Sequence, residues 1–356
     1  MGFIVKKALL SCIATVFLAF GLVAFPQESA DAVRNALSLC CQVVIPSLFP
    51  FFVLSTFMNQ SGVSNRFGQF AVPLMSRLFR LSGDGASALF LGMIGGYPIG
   101  ADCVRSLYQN GKVSKQEAEH LLIFCNNSGP AFVLGAVGCG VFGSMRIGGI
   151  LLVIHWLSAW LIGLVLRFRT NETEKCLFVE EADAGFAPTF CTAVKTAAMT
   201  MVNVCAFIIF FAVLTELLHM THMLPHDGIV GAVCTGLFEL TSGIAALQPS
   251  VFNPHTAMLI ASVLLGFGGI SVHAQTAALL SETDLSLTPY FLGKLSHAAT
   301  SFLLTRGFLQ FFPQSIPASA VWLHGQTNWP GLAVTAVAIL SFCMLLLFSE
   351  KRTGNR

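Results

Sequence analysis

Four short stretches of this sequence place polar or helix-breaking residues inside apolar surroundings. Residues 91–104 read LGMIGGYPIGADCV, with Gly95, Gly96, Tyr97 and Pro98 at the break and Asp102 behind it. Residues 125–130 read CNNSGP, giving the amides of Asn126 and Asn127, the hydroxyl of Ser128, then Gly-Pro. Residues 237–243 read LFELTSG, with Glu239, Thr241 and Ser242. Residues 265–274 read LGFGGISVHA, with Gly268, Gly269, Ser271 and His273. Glycine pairs weaken a helix, and proline removes an N–H and crowds the preceding turn. In lipid the backbone groups freed at a break must be satisfied by protein, water or a ligand. Each break therefore reads either as the lining of a solute site or as close helix packing through small residues.

The side chains suggest what such a site would take. An asparagine amide offers donors and an acceptor, which suits a nucleobase or sugar edge. A half-helix beginning after Pro130 presents free N–H groups and positive dipole to an anionic or carbonyl-bearing ligand. The competing reading is that both amides cap their own broken helix ends. A carboxylate at bilayer depth costs about 3 kcal/mol on insertion scales, which makes Glu239 a site candidate by default. With Thr241 and Ser242 it suits a coupling H+ or Na+. Its alternative is an ion pair with Arg80, with which it aligns between the halves of the chain. Asp102 reads as a solvated partner of Arg105, and Glu216, near His219, as interfacial. His155, His273 and His297 stand alone, as packing histidines do. No HExxH, GxSxG or paired-Asp motif occurs, and the 11 cysteines show no metal-ligand spacing. No catalytic residue, metal or cofactor is expected, and the chain is not read as an enzyme.

The elements carrying these residues are membrane helices. Of 356 residues, 55% are hydrophobic and 10% charged, against about 25% charged in soluble domains. Residues 8–25, 45–58, 147–166, 200–218 and 331–348 are apolar runs approaching or reaching the ~20 residues that cross a bilayer. The chain reads as an all-α polytopic membrane protein, with the lipid bilayer as its first partner. The net charge of +2 is unclustered, which gives no sign of nucleic acid. Lys6-Lys7 precede an apolar run longer than the ~7–15 residues of a signal peptide core, so an uncleaved first helix is expected.

Residues 167–188 form a polar linker between two halves that resemble one another in sequence. Residues 49–55 pair with 209–215, 78–89 with 237–247, 91–101 with 265–274, and 112–114 with 284–286. Residues 296–301, SHAATS, stand as the polar counterpart of CNNSGP without its Gly-Pro. The corresponding division is 1–35, first helix and external loop; 36–168, first repeat; 169–190, cytoplasmic linker; 191–312, second repeat; 313–356, loop, last helix and tail. Lys and Arg favour the cytoplasmic side. Lys6, Lys7, Arg66, Arg77, Arg80, Arg167, Arg169, Lys351 and Arg352 put both termini inside and orient the halves oppositely. The expectation is two inverted-topology repeats with discontinuous or re-entrant helices, an architecture whose solute sites form near the midplane.

The segments IPSLFPFFVLS, LSGDGASALFLGMIGGYPIGA, NNSGPAFV and GLFELTSG together resemble the YlbJ family of sporulation integral membrane proteins. That family falls among the nucleoside-recognition, or Gate-domain, membrane proteins. The resemblance runs from about residue 46 to 308. It implies a transport-like fold and a role in forming resistant endospores, and it supplies no demonstrated substrate. Gate domains also occur in iron transporters, but the GxxxxGK[ST] phosphate loop is absent here. The expected partners are a small polar solute such as a nucleoside and a coupling H+ or Na+, with a homo-oligomer left open. The alternative is an assembly factor that keeps the fold without transporting.

Overall fold

The computed structural model describes residues 2–62, 75–169, 185–247 and 252–312. The expected span at 331–348, Arg66 and residues 170–184 of the linker lie outside them. Among the described residues every regular element is a helix. Among the described residues four helices are long and apolar enough to cross a membrane: Pro26–Gln60, Met145–Val165, Phe186–Met220 and Pro254–Leu280. The chain is an all-α, multi-pass integral membrane protein.

Helix α1 (Gly2–Ala24) packs against α2 (Pro26–Gln60). Within α2 the ladder widens to a π-helical turn at Cys40–Val44, next to Pro46 and Pro50. Neither proline supplies the N–H that a regular ladder needs, so the widening falls where the α pattern is already broken. Ser82 then caps α3 (Gly83–Gly95) by accepting the Gly85 N–H at 3.0 Å. The chain turns through Gly96, Tyr97 and Pro98, and α4 (Ile99–Gln109) runs back along α3. The reversal demands small residues at the crossing. A Cβ on Gly92 would lie 3.0 Å from Gly100 Cα and would strike the Cys125 carbonyl oxygen.

Helix α5 (Lys115–Phe124) stops at the Asn-Asn-Ser-Gly-Pro break, and the chain resumes as α6 (Ala131–Val141), wound as a π-helix. After α7 (Met145–Val165) and the linker comes α8 (Phe186–Met220), which lies alongside α2. Helices α9 (Gly228–Phe238) and α10 (Leu240–Ala245) form a second hairpin that turns at Glu239. Here Gly236 meets Gly243 backbone to backbone. Helix α11 (Pro254–Phe267) breaks at Gly268, whose φ is +92°, and continues as α12 (Gly269–Leu280). Helix α13 (Leu287–Phe311) completes the described chain and packs on α11, α5 and α7.

Long helix, hairpin, broken helix, helix is thus the element order in both halves. It changes the pairing that sequence similarity suggests. Residues 91–101 hold a hairpin tip, whereas 265–274 hold the kink of a through-going helix. By element order the tip at Tyr97 corresponds to Glu239, and the break at 125–130 to Gly268. The supposed counterpart at 296–301 lies inside unbroken α13. The Gly-Gly signal misleads because it marks close backbone approach whether or not the chain reverses.

The two hairpins open towards opposite faces. The ends of α4 and α12 meet the start of α5 at one face, where Lys115 Nζ lies 2.8 Å from Asp284 and the Tyr108 hydroxyl donates to Asp284 at 2.7 Å. Ile244 and Ala245, by contrast, share a cavity with Gly140 and Val141 at the far end of α6. Apolar side chains such as Val153, Val202 and Phe210 face outward, and polar ones such as His155, Ser158, Lys294 and Ser296 face inward.

Candidate functional site

Both hairpin tips and both helix breaks converge on one interior cavity. The first tip contributes Gly96 and Tyr97, and the first break Ser128 and Gly129. The second tip contributes Glu239, Leu240 and Thr241, and the start of α12 adds Ser271, Val272 and Gln275. Apolar residues of α2 and α8 close the sides, with Phe132 of α6. The cavity measures about 40 Å³, room for a few waters or a small ion. It shares Phe132 and Thr241 with a vestibule of about 830 Å³. It shares Val204 and Gln275 with one of about 300 Å³ that reaches Pro98, Arg105 and Glu282.

Tyr97 joins the two halves. Its hydroxyl lies 2.6 Å from Ser128 Oγ and donates to the Leu265 carbonyl at 2.9 Å, and its ring covers Gly268. Glu239 is buried, and its carboxylate accepts the N–H groups of Thr241 at 3.0 Å and Ser242 at 2.6 Å. It therefore caps α10 while lining the cavity. The sequence pairing with Arg80 is not realised, since that guanidinium lies 4.9 Å from the Phe168 ring centroid. Ser271 Oγ is fully buried on the cavity wall and has no hydrogen-bond partner among the described residues. A ligand with a donor to spare would meet the Glu239 carboxylate and this hydroxyl together.

The other expected site residues have mostly structural partners. Asn127 donates to the Phe124 carbonyl at 2.7 Å and so caps its own helix. Asn126 donates to Thr276 Oγ1 at 3.1 Å, tying the first break to α12. His273 faces the Tyr290 hydroxyl at 3.1 Å and packs on Phe267 and Phe291, off the cavity. Gly95 packs on Ser55 and Ile99, Pro98 lines the smaller vestibule, and Gly269 packs on Leu240. Ser242 donates its N–H to the Glu239 carboxylate at 2.6 Å. The ion pair expected of Asp102 is present, with Arg105 Nη2 at 2.7 Å.

Sequence reasoning missed Gln275, the paired histidines and Lys294. His155 Nε2 accepts the Ser128 N–H at 3.0 Å, and the His297 ring stacks on it at 4.4 Å while donating to the His155 carbonyl at 2.9 Å. These two rings, 142 positions apart in sequence, brace the first break from behind. Lys294 is 1% exposed and donates to the Asn126 carbonyl at 3.0 Å. One signal existed for it: no Lys or Arg occurs between residues 196 and 293, so this lysine ends a long run without a basic side chain of either kind. Among the described residues no cluster of three His, Cys, Asp or Glu could hold a metal.

Residues 41–145, which include the first hairpin and the first broken helix, match the family model described as Gate: Nucleoside recognition. The chain is 32% identical over 315 residues to the sporulation integral membrane protein YlbJ of Bacillus subtilis (strain 168), covering 79% of this chain and 77% of that one. No solved structure matches it.

Proposed function

The chain belongs to the YlbJ family of sporulation integral membrane proteins, and from that premise we propose that it binds or moves a small polar solute across a bacterial cell membrane during endospore formation. The observation that carries this reading is the convergence of two hairpin tips, the first helix break and the start of α12 on one small cavity that shares lining residues with two larger vestibules. Broken helices meeting at mid-depth are where secondary transporters bind substrate and coupling ion. The opposite entry of the hairpins supports two inverted repeats, and the positive-inside rule then puts both termini and the Lys115–Asp284 face in the cytoplasm. A nucleoside-like solute is the class favoured by the Gate match. Glu239, Ser271 and Gln275 would meet its hydroxyl and amide groups, with Tyr97 and Ser128 opposite. The cavity is far smaller than the ~300–1,000 Å³ of pockets that take drug-sized ligands. Loading such a solute therefore requires a hairpin to withdraw and merge the cavity with one vestibule. H+ or Na+ would supply the coupling.

The small cavity also favours a second reading, a non-transporting factor in spore envelope assembly that uses the same fold as a scaffold. Spore resistance and uptake separate the two. In a spore former lacking its own copy, Glu239→Gln and Ser271→Ala should reach wild-type protein levels yet lower heat-resistant spore counts at least tenfold. Reconstituted wild-type protein should accumulate a labelled nucleoside from a panel, and Glu239→Gln should not. Normal spores from both variants would remove the central-cavity reading and leave the scaffold.

A further inference from the structure

We propose that the Lys294 ammonium is a built-in cation, filling the position at the first helix break where a coupling Na+ would otherwise be ligated. The position is defined by the end of α5. A half-helix C-terminus carries partial negative charge, and unwound carbonyls just beyond it are the groups that ligate coupling cations in broken-helix membrane proteins. In this chain the carbonyl beyond that end, Asn126 O, accepts a hydrogen bond from Lys294 Nζ at 3.0 Å. The ammonium also lies 5.3 Å from the ring centroid of Tyr97, within the range of cation–π attraction. It thus touches the break and the first hairpin tip at once.

The surroundings are arranged to deliver this charge. Lys294 is 1% exposed, and no carboxylate lies within ion-pair distance of it among the described residues. A buried ammonium lacking a carboxylate is held by carbonyl dipoles and ring faces, or it gives up its proton. Directly before it, Gly293 packs against the Ile123 carbonyl oxygen so closely that a Cβ would collide with it. The Gly-Lys pair thereby lets α13 approach the last turn of α5 and insert the side chain at the break. The second break differs. There a carbonyl within the last turn of α11, Leu265 O, accepts from the neutral Tyr97 hydroxyl. Both half-helix ends are thus occupied by the chain's own donors, one charged and one neutral.

The inference deepens the solute-handling reading, on which it rests only for calling the displaced ion a coupling ion. Its test needs no solute, so its failure is distinct from failure of the uptake experiment. Purified full-length protein in detergent is unfolded thermally in NaCl, KCl or choline chloride at equal ionic strength. The wild type should melt at the same temperature in all three. Lys294→Ala empties the position beside Asn126 O, and NaCl should then raise its midpoint by about 2 °C over choline chloride. Lys294→Ser, which adds an oxygen ligand, serves where the alanine variant does not fold. Lys294→Arg should keep the wild-type indifference. A wild-type midpoint raised specifically by Na+ overturns the proposal without any variant, and so does a folded Ala or Ser variant that ignores Na+.

Discussion

Tyr97 ties the two halves of the chain together at the site. One hydroxyl serves Ser128 in the first half and Leu265 in the second. Tyr97→Phe keeps the ring against Gly268 and leaves the buried Leu265 carbonyl without its donor. Stranding a buried polar group costs about 1–3 kcal/mol, so the variant should fold with a thermal midpoint several degrees below wild type. An unchanged midpoint would mean that the two halves are joined elsewhere. Glu239 and Asn127 show how much the surroundings decide at this scale. Both looked alike in sequence, as polar groups at breaks. Asn127 donates to its own helix end at 2.7 Å and its buried Oδ1 has no hydrogen-bond partner among the described residues, whereas Glu239 caps α10 and lines the cavity.

At the scale of elements, the hairpins depend on glycine pairs at their crossings. Gly92→Ala drives a Cβ into the Cys125 carbonyl oxygen, where no flexible side chain can yield. We expect no monodisperse protein by size-exclusion chromatography in detergent. Gly135→Ala meets nothing within 4 Å and should behave as wild type. Recovery of well-folded Gly92→Ala would show that the hairpin does not close as described. Helix ends also reach beyond their own elements. Ser114-x-x-Glu117 has the spacing of a capping box, yet Glu117 Oε1 accepts the Ser82 N–H at 2.6 Å and supports the start of α3 instead. Glu119 does the same for Ser286 at the start of α13, at 3.0 Å. Two glutamates within one turn of α5 thereby fix the entry of the first hairpin and of the last described helix.

Across the whole molecule, the two halves are clasped at one face by Lys115, Tyr108 and Asp284. The Lys115 ammonium, and after it the Tyr108 hydroxyl, hold the Asp284 carboxyl below its ordinary range. A depressed carboxyl stabilises the fold above its unfolded value, and that contribution is lost as pH falls through the lower folded value. Acidification from neutral pH should therefore loosen the clasp below the ordinary carboxylate range, near pH 4 and under. Hydrogen exchange at the end of α12 should rise there in wild type and be insensitive to the same step in Asp284→Asn. Equal pH response in both would assign the effect to other carboxylates. The contact is exposed, so salt should weaken it as acid does.

What the sequence by itself determined is the solvent and the breaks. An apolar, charge-poor chain must place helices in lipid, and Gly-Gly, Gly-Pro and paired amides mark where those helices can break, because both effects are local. The convergence of Tyr97, Ser128, Glu239 and Ser271 was legible only as a set of polar interruptions. Which break is a hairpin tip and which a kink was decided by tertiary packing, since Gly-Gly permits either. The tertiary structure also decided Lys294, which reads in the sequence as the first Lys or Arg after a long run without either. Only the approach of α13 to the end of α5, through Gly293, turns it into a buried donor at the Asn126 carbonyl. A charge acquires its meaning from partners brought in across 168 positions of chain, and no local pattern encodes that distance.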